Sequence, residues 1–172
     1  MDRRKLFEGL RVVELASVLA GPAVGMFFAE LGAEVVKVEN KLGGDLTRRW
    51  KQQGENPSSD TSAYYHSVNW NKKVLFCDLL NERDHKEVMQ LIASSDILIS
   101  NFKAGDDVKF NLVADDLSKK FPSLIIGEIS GYPDSAKVAF DAVLQAETGL
   151  MSINGNPDSG PIKLPIAFVD LL

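Results

Sequence analysis

Short apolar runs alternate with amphipathic stretches along almost the whole chain. Apolar segments at 10–15, 34–38, 74–79, 97–100 and 124–130 are followed by stretches with helical spacing of their apolar residues, at 22–31, 61–69, 82–93, 112–120 and 140–150. Apolar runs of about four to eight residues, each leading into a helical pattern of roughly ten to fifteen, mark repeated βαβ units. Strands that are apolar at nearly every position belong to a parallel sheet covered on both faces. The predicted fold is therefore α/β: a doubly wound, Rossmann-like parallel sheet with helices on both faces. The segments share a pattern and not residues, so this is no sequence repeat.

Local signals agree with this reading. Gly21-Pro22 places a proline at a first helical position, and Asn81 followed by Glu82 and Asp84 loads acid into a helix start. Val88, Leu91 and Ile92 fall on one helical face, which assigns that helix to packing. The stretch 54–61 alone has the composition of a disordered segment. The final block, Pro165 to Leu172, reads as an apolar strand that delivers one carboxylate, Asp170. An end rich in Ile, Phe, Val and Leu contrasts with the polar, loosely held terminus of an ordinary domain. The expectation is that the chain is the first part of something longer.

A length of 172 residues suits one core. With 45% hydrophobic and 25% charged residues, the balance is that of a soluble globular protein. The net charge of −5, with lysines and arginines scattered and not striped, argues against a nucleic-acid surface. The run 10–19 is broken by Arg11, Glu14 and Ser17 and falls short of the roughly 20 apolar residues that span a bilayer. The basic start, Met1 to Lys5, lacks the apolar core of a signal peptide. These features predict a cytoplasmic protein without a membrane segment. Cys77 is the only cysteine, which excludes an internal disulfide and a cysteine-based zinc site, and its apolar strand makes it a core residue. His66 and His85 lie far apart without ligand spacing, so no metal is expected and both take surface or structural roles.

In an open parallel sheet, ligands bind beyond the carboxyl ends of the strands, where helix N-termini also point their free amides. Small and polar residues collect there. Ala16 to Pro22 follows the first strand, Glu39 to Asp45 the second, Asn101 to Gly105 the fourth and Ser130 to Pro133 the fifth. They read either as the ordinary turns of βα units or as a ligand edge. Val18-Leu19-Ala20-Gly21, apolar beside a helix N-terminus, suits a ligand with an apolar ring and a phosphate, and Gly43-Gly44-Asp45 reads as a flexible loop on the same edge. A nicotinamide dehydrogenase is excluded because the first turn has no G-x-G-x-x-G, although Glu39 ends the second strand as a ribose-binding acid would. Neither a G-x-x-x-x-G-K-[ST] phosphate loop nor a G-x-S-x-G nucleophile elbow is present.

From Leu6 onward the chain resembles the family III CoA-transferases, the group that includes formyl-CoA and carnitine CoA-transferases and the 2-methylacyl-CoA racemases. The opening segment Leu6 to Leu15, the turn Leu19-Ala20-Gly21-Pro22 and the segment Leu31 to Glu39 are similar to that family in order and spacing. So are Gly44-Asp45 with Arg48, Asn69 to Lys73, Asp96 to Phe102, Ser130-Gly131-Tyr132, Phe140 to Val143 with Gln145-Ala146, Thr148 to Met151, and Pro165 to Asp170. The resemblance implies that this chain, 1–172, is the N-terminal Rossmann-like, CoA-binding part of a large domain, with a second domain and a C-terminal return segment absent. It also departs from the family at 133–139, which is unusually short.

By this resemblance Asp170 is the catalytic carboxylate. Its attack on an acyl-CoA thioester gives a mixed anhydride and then an aspartyl-CoA thioester, which an incoming carboxylic acid resolves. Val18, Leu19 and Ala20 are implied to contact the adenosine end of CoA, and Asn101 and Phe102 to form a second contact. Lys109 stands where relatives often have Arg beside the CoA phosphates, and Asn40 where they often have another Arg. Lys72 is implied to be structural. The racemase branch carries a proton-transferring His at the position of Phe140, and phenylalanine cannot move a proton, so transfer is preferred over racemisation. No tightly bound cofactor is implied: coenzyme A or acyl-CoA is substrate, a carboxylic acid its acceptor, and the family forms interlocked homodimers. A non-catalytic CoA-binding fragment is the alternative outside the enzymes.

Overall fold

A computed structural model describes residues 5–132 and 135–172. The basic start at 1–4 and two residues of the short stretch 133–139 lie outside the described residues. The chain divides into two compact units, one ending at Ile129 and the other running from Ser130 to Leu172.

The first unit is built on five parallel strands: β1 (Arg11–Leu15), β2 (Glu34–Asn40), β3 (Lys73–Cys77), β4 (Ile97–Ser100) and β5 (Ile125–Glu128). Their order is β3-β2-β1-β4-β5, so the topology reverses between β1 and β4. That reversal opens a crevice beyond the carboxyl ends of those two strands. Val13 pairs with Leu98 and Leu15 with Ser100, so the strands end together and Ser17 and Asn101 fall just past the last rung.

Side chains of successive strand residues point to opposite faces. Val13, Leu15, Val38, Cys77 and Leu98 join Val88 and Ile92 of α3 (Glu82–Ala93) and Leu117 of α5 (Ala114–Lys120) in one core layer. Val12, Val35 and Ile99 join Ala29 of α1 (Ala20–Glu30) in the other. Helices thus cover both faces, and Cys77 is a buried core residue, as the pattern predicts. Also in this unit are α2 (Ala63–Asn69), α4 (Asp106–Lys109) and a 3-10 turn at Leu46–Arg49. No described helix is long and apolar enough to cross a membrane.

Several boundaries differ from expectation by a few residues. The first helix begins at Ala20, which puts Pro22 third in the helix; it is still within the first turn, where a missing N–H costs no helical bond. The expected helix at 112–120 starts at Ala114 and is preceded by the separate short α4.

The second unit contains α6 (Asp141–Glu147), a 3-10 turn at Leu150–Ile153 and α7 (Phe168–Leu171). Gly149, at φ 78°, stops α6 short of the predicted end at 150. The expected strand at Pro165 to Asp170 is replaced by the short helix α7, and the cause lies in side chains of α6. Gln145, fully buried, accepts from the Leu164 N–H at 2.9 Å and donates to the Ile166 carbonyl at 3.0 Å. Asp141 Oδ1 accepts from the Val169 N–H at 2.8 Å. The backbone bonds that a strand would give to a neighbour are taken by two side chains.

Candidate functional site

The turn after β1 is strained and firmly held. Val18 stands at φ 73°, a left-handed conformation that a β-branched residue seldom adopts. Its N–H points at the Asp45 carboxylate, 3.2 Å from Oδ2 and 3.4 Å from Oδ1. Across the crevice, Asn101 Oδ1 accepts from the Ser17 N–H at 2.9 Å and Asn101 Nδ2 donates to the Ser17 carbonyl at 2.8 Å. Leu19 is buried and precedes α1 as its cap residue, without a side-chain capping bond.

The loop Gly43-Gly44-Asp45, expected to be flexible, is instead tied down. The Gly44 N–H donates to the Asn40 carbonyl at 2.8 Å, and the Asp45 N–H donates to Glu39 Oε2 at 2.7 Å. Gly44 itself has φ 67°, and a Cβ there would lie 2.6 Å from Glu39 Oε2, so only glycine fits.

Beneath the turn lies a buried charge network on the α1 face of the sheet. Lys37 Nζ lies 2.8 Å from Glu14 Oε1 and 3.0 Å from Asp45 Oδ2, with all three side chains shielded from solvent. Lys72 Nζ lies 2.7 Å from Glu14 Oε2 as a Coulombic contact, while it donates to the Pro22 carbonyl at 2.7 Å and Asn69 Oδ1 at 2.9 Å. Arg48 donates to both oxygens of Glu39, at 2.6 and 2.9 Å, and Tyr65 donates to Oε1 at 2.7 Å. Three acids, Glu14, Glu39 and Asp45, thus balance three bases, Lys37, Arg48 and Lys72, which is the condition for burying charge at tolerable cost.

The titration of these groups follows from their partners. Burial raises the Glu39 carboxyl, but the bonds from Arg48, Tyr65 and the Asp45 N–H outweigh it and leave the group below the usual range. For Asp45, burial is likewise outweighed, by the charge of Lys37 and the bonds from Thr47. Burial depresses the Lys72 ammonium to about 8 despite the nearby Glu14.

A cavity of about 220 Å³ opens past the ends of β1, β2 and β3. Leu15, Val38, Cys77, Leu79, Leu80 and Phe110 give it apolar walls, and Asn40, Lys109 and two acids, Glu39 and Asp78, are its polar groups. An apolar wall with a few polar groups suits a planar heterocycle, and Lys109 brings one positive charge to a rim that also carries Glu39 and Asp78. Phe102 packs its ring on Phe110 at 5.6 Å and is part of the core layer, so it supports the cavity wall from behind.

In the second unit, Asp170 is half-buried at the third position of α7. Burial raises its carboxyl, and the charge of Asp141 raises it further. Asp141 is in turn engaged by the Val169 N–H and by Gln145 Nε2 at 2.6 Å. Phe140, the residue before Asp141, caps α6 from outside and is 67% exposed.

The sequence profile of CoA-transferase family III matches residues 7–172. The chain belongs to this family. Among curated relatives of this family III member, the succinate–glutarate CoA-transferase of Agrobacterium fabrum is 38% identical over 99% of the chain and 44% of its own length. The succinyl-CoA:glutarate CoA-transferase of Mus musculus is 37% identical over 99% of the chain and 39% of its own length. The crystal structure of a CAIB/BAIF family protein from Brucella suis superimposes with a TM-score of 0.86 at 37% identity, covering 95% of this chain and 44% of that one. The chain therefore spans less than half the length of the relatives it matches.

The family III chain distributes the predicted residues unevenly. Lys109 lines the cavity, whereas Val18, Leu19, Ala20 and Asn101 belong to the first-turn crevice. Asn101 spends one donor and one acceptor on Ser17 and keeps one of each. Lys72 is held in the buried charge network, paired with Glu14. His66 and His85 are both hydrogen-bonded, to Thr61 Oγ1 and the Phe110 carbonyl. Leu80 also lines the cavity without having been expected there, because the turn after β3, Cys77-Asp78-Leu79-Leu80, carries no Gly, Asn or Ser. Its place at the carboxyl edge of the same sheet was the available signal.

Proposed function

We propose that this family III chain is the N-terminal, Rossmann-like part of a CoA-transferase that moves CoA from an acyl-CoA to a carboxylic acid. Asp170 carries the reading. It is a partly desolvated carboxylate with a raised pKa, on a segment anchored by Asp141 and Gln145, within the span matched by the family profile. A carboxylate with little hydration and a raised proton affinity is a better nucleophile than a solvated one.

In this reading Asp170 Oδ attacks the thioester carbonyl, the C–S bond breaks and CoA leaves as thiolate. The thiolate then attacks the aspartyl carbonyl of the mixed anhydride, releasing the acyl group as its carboxylate and forming aspartyl-CoA. The acceptor carboxylate attacks this thioester and expels CoA again, and the thiolate returns to the new acyl carbonyl, restoring Asp170. Coenzyme A is substrate throughout, and no tightly bound cofactor takes part.

The apolar cavity with Lys109, together with the first turn Val18-Leu19-Ala20 and the residues Asn101 and Phe102, forms the CoA site of the first unit. Lys109 supplies the charge for a phosphate, and Asn40 supplies a neutral polar contact. The names of the relatives support short dicarboxylates, succinyl-CoA as donor and a C5 acid as acceptor. The working enzyme is a cytoplasmic homodimer. Phe140 argues against the racemase alternative, because it has no proton to exchange.

The test is covalent trapping. The chain, and a form extended to the length of its relatives, are incubated with succinyl-CoA, treated with hydroxylamine and mapped by peptide mass spectrometry. Modification at Asp170, lost in Asp170→Asn, is the expected result. Modification at another acidic residue, or turnover retained by Asp170→Asn with deamidation excluded, overturns the assignment.

A further inference from the structure

Val18 is held where its branched Cβ crowds the backbone, a conformation that persists only when neighbours over-determine it. Three sets of contacts do so. Ser17, the preceding residue, is gripped at both its N–H and its carbonyl by Asn101. The carbonyl of Leu19, the following residue, already accepts a helical bond from the Ala23 N–H at 2.8 Å. Between them, the Val18 N–H meets the carboxylate of Asp45.

Asp45 cannot turn away. It is 3% exposed, its Oδ1 accepts from the Thr47 N–H at 3.0 Å and the Thr47 hydroxyl at 2.7 Å, and Lys37 Nζ sits 3.0 Å from Oδ2. That same ammonium donates to the Ala16 carbonyl at 2.7 Å and to Glu14. One cation therefore fastens both the carboxylate that holds Val18 and the residue from which the turn departs.

We infer that Asp45 is a positioning residue for coenzyme A binding: with Lys37 and Thr47 behind it, its carboxylate locks Val18 in the left-handed form and so fixes the 16–20 turn in its ligand-binding shape. This rests on the CoA site proposed above. Without the carboxylate, Val18 relaxes to negative φ and the start of α1 is displaced with it. Glycine takes positive φ at no steric cost, so a turn carrying Val18→Gly needs no such lock. The contribution of Asp45 thus depends on what occupies position 18, which a general effect on stability would not.

The test is a cycle of wild type, Asp45→Asn, Val18→Gly and the double variant. Scalar couplings by NMR on labelled chains report the sign of φ at residue 18, and titration calorimetry with coenzyme A reports affinity. The expected outcome is positive φ in wild type and negative φ in Asp45→Asn. Affinity should fall at least about tenfold for Asp45→Asn when Val18 is present and less than about threefold in the Val18→Gly background. Equal losses in both backgrounds, or a Val18 that keeps positive φ in Asp45→Asn, overturn the role. A wild-type chain that does not bind coenzyme A overturns the ligand and the CoA site, while the sign of φ still decides whether Asp45 sets the turn. If Asp45→Asn does not fold, Thr47→Val, which removes the hydroxyl bond to Oδ1, carries the same measurements with the same expected direction.

Discussion

Gly25 of α1 lies directly against the carboxylate of Glu14: a Cβ at position 25 would collide with Glu14 Oε2. The helix can pass over a buried charge only because that side chain is missing. Any larger residue must push α1 off the sheet or push Glu14 away from Lys37 and Lys72.

Gly25→Ala is therefore destabilising, although alanine favours helix more than glycine does. The gain in propensity is about 1 kcal/mol, against about 3–5 kcal/mol for breaking a buried ion pair, so the net loss is about 2–4 kcal/mol. Urea unfolding followed by circular dichroism reads this as a lower midpoint with unchanged slope.

The network also sets an acid limit. Glu39 and Asp45 have folded pKa values below their ordinary values of 4.5 and 3.8, so the native state holds fewer protons than the unfolded chain in that region. Their stabilisation is fully present above the unfolded values and is lost as pH falls through the folded ones. Stability should drop below about pH 4.5, and Glu39→Gln should flatten that slope while costing about 3 kcal/mol at neutral pH. Unfolding midpoints measured from pH 3 to pH 7 check both statements.

In the second unit, Asp170 is raised first by burial and then by Asp141. Replacing Asp141 with Asn should lower the Asp170 pKa only part of the way to 3.8, because burial remains. Carbon-detected NMR titration of the Asp170 carboxyl measures the shift. A complete return to the ordinary value would mean that the segment has opened, and faster hydrogen exchange at the Val169 amide would accompany it.

Phe140 leads to a prediction about chemistry. A protein with phenylalanine at the start of α6 should exchange the α-proton of a 2-methylacyl-CoA in deuterated water no faster than the solution background. Mass spectrometry of the recovered thioester gives the rate, and protein-dependent exchange would favour racemisation over transfer.

Much of the fold was legible because the apolar alternation is a direct image of packing. Val88 and Ile92, predicted to share a face, are both completely buried in one core layer. The charges were harder to read. Glu14, Lys37 and Glu39 look like solvated interruptions in apolar strands, yet each is buried because its partner arrives from elsewhere: Lys72 from just before β3, Arg48 and Asp45 from the loop after β2. Strand pairing and α1 bring these together, and no local window contains them. The segment at 165–170 was misread for a related reason. Its apolar pattern fits a strand, but its conformation is dictated by Asp141 and Gln145, which lie 28 and 21 residues before the backbone groups they hold.

Asn101 gives the crevice between the β1 and β4 loops a fixed gauge. Its amide offers Ser17 one donor and one acceptor, as a peptide group would, so pairing between these two strands continues for one rung beyond the sheet with a side chain in place of backbone. The spacing of the two loops is thereby set by the reach of a single asparagine. Gln at 101 would lengthen that reach by one C–C bond, about 1.5 Å, and aspartate would keep the length but lose the donor to the Ser17 carbonyl. The mouth of the crevice is in effect ruled off by one side chain, and its width can be tuned there without altering a strand or a helix.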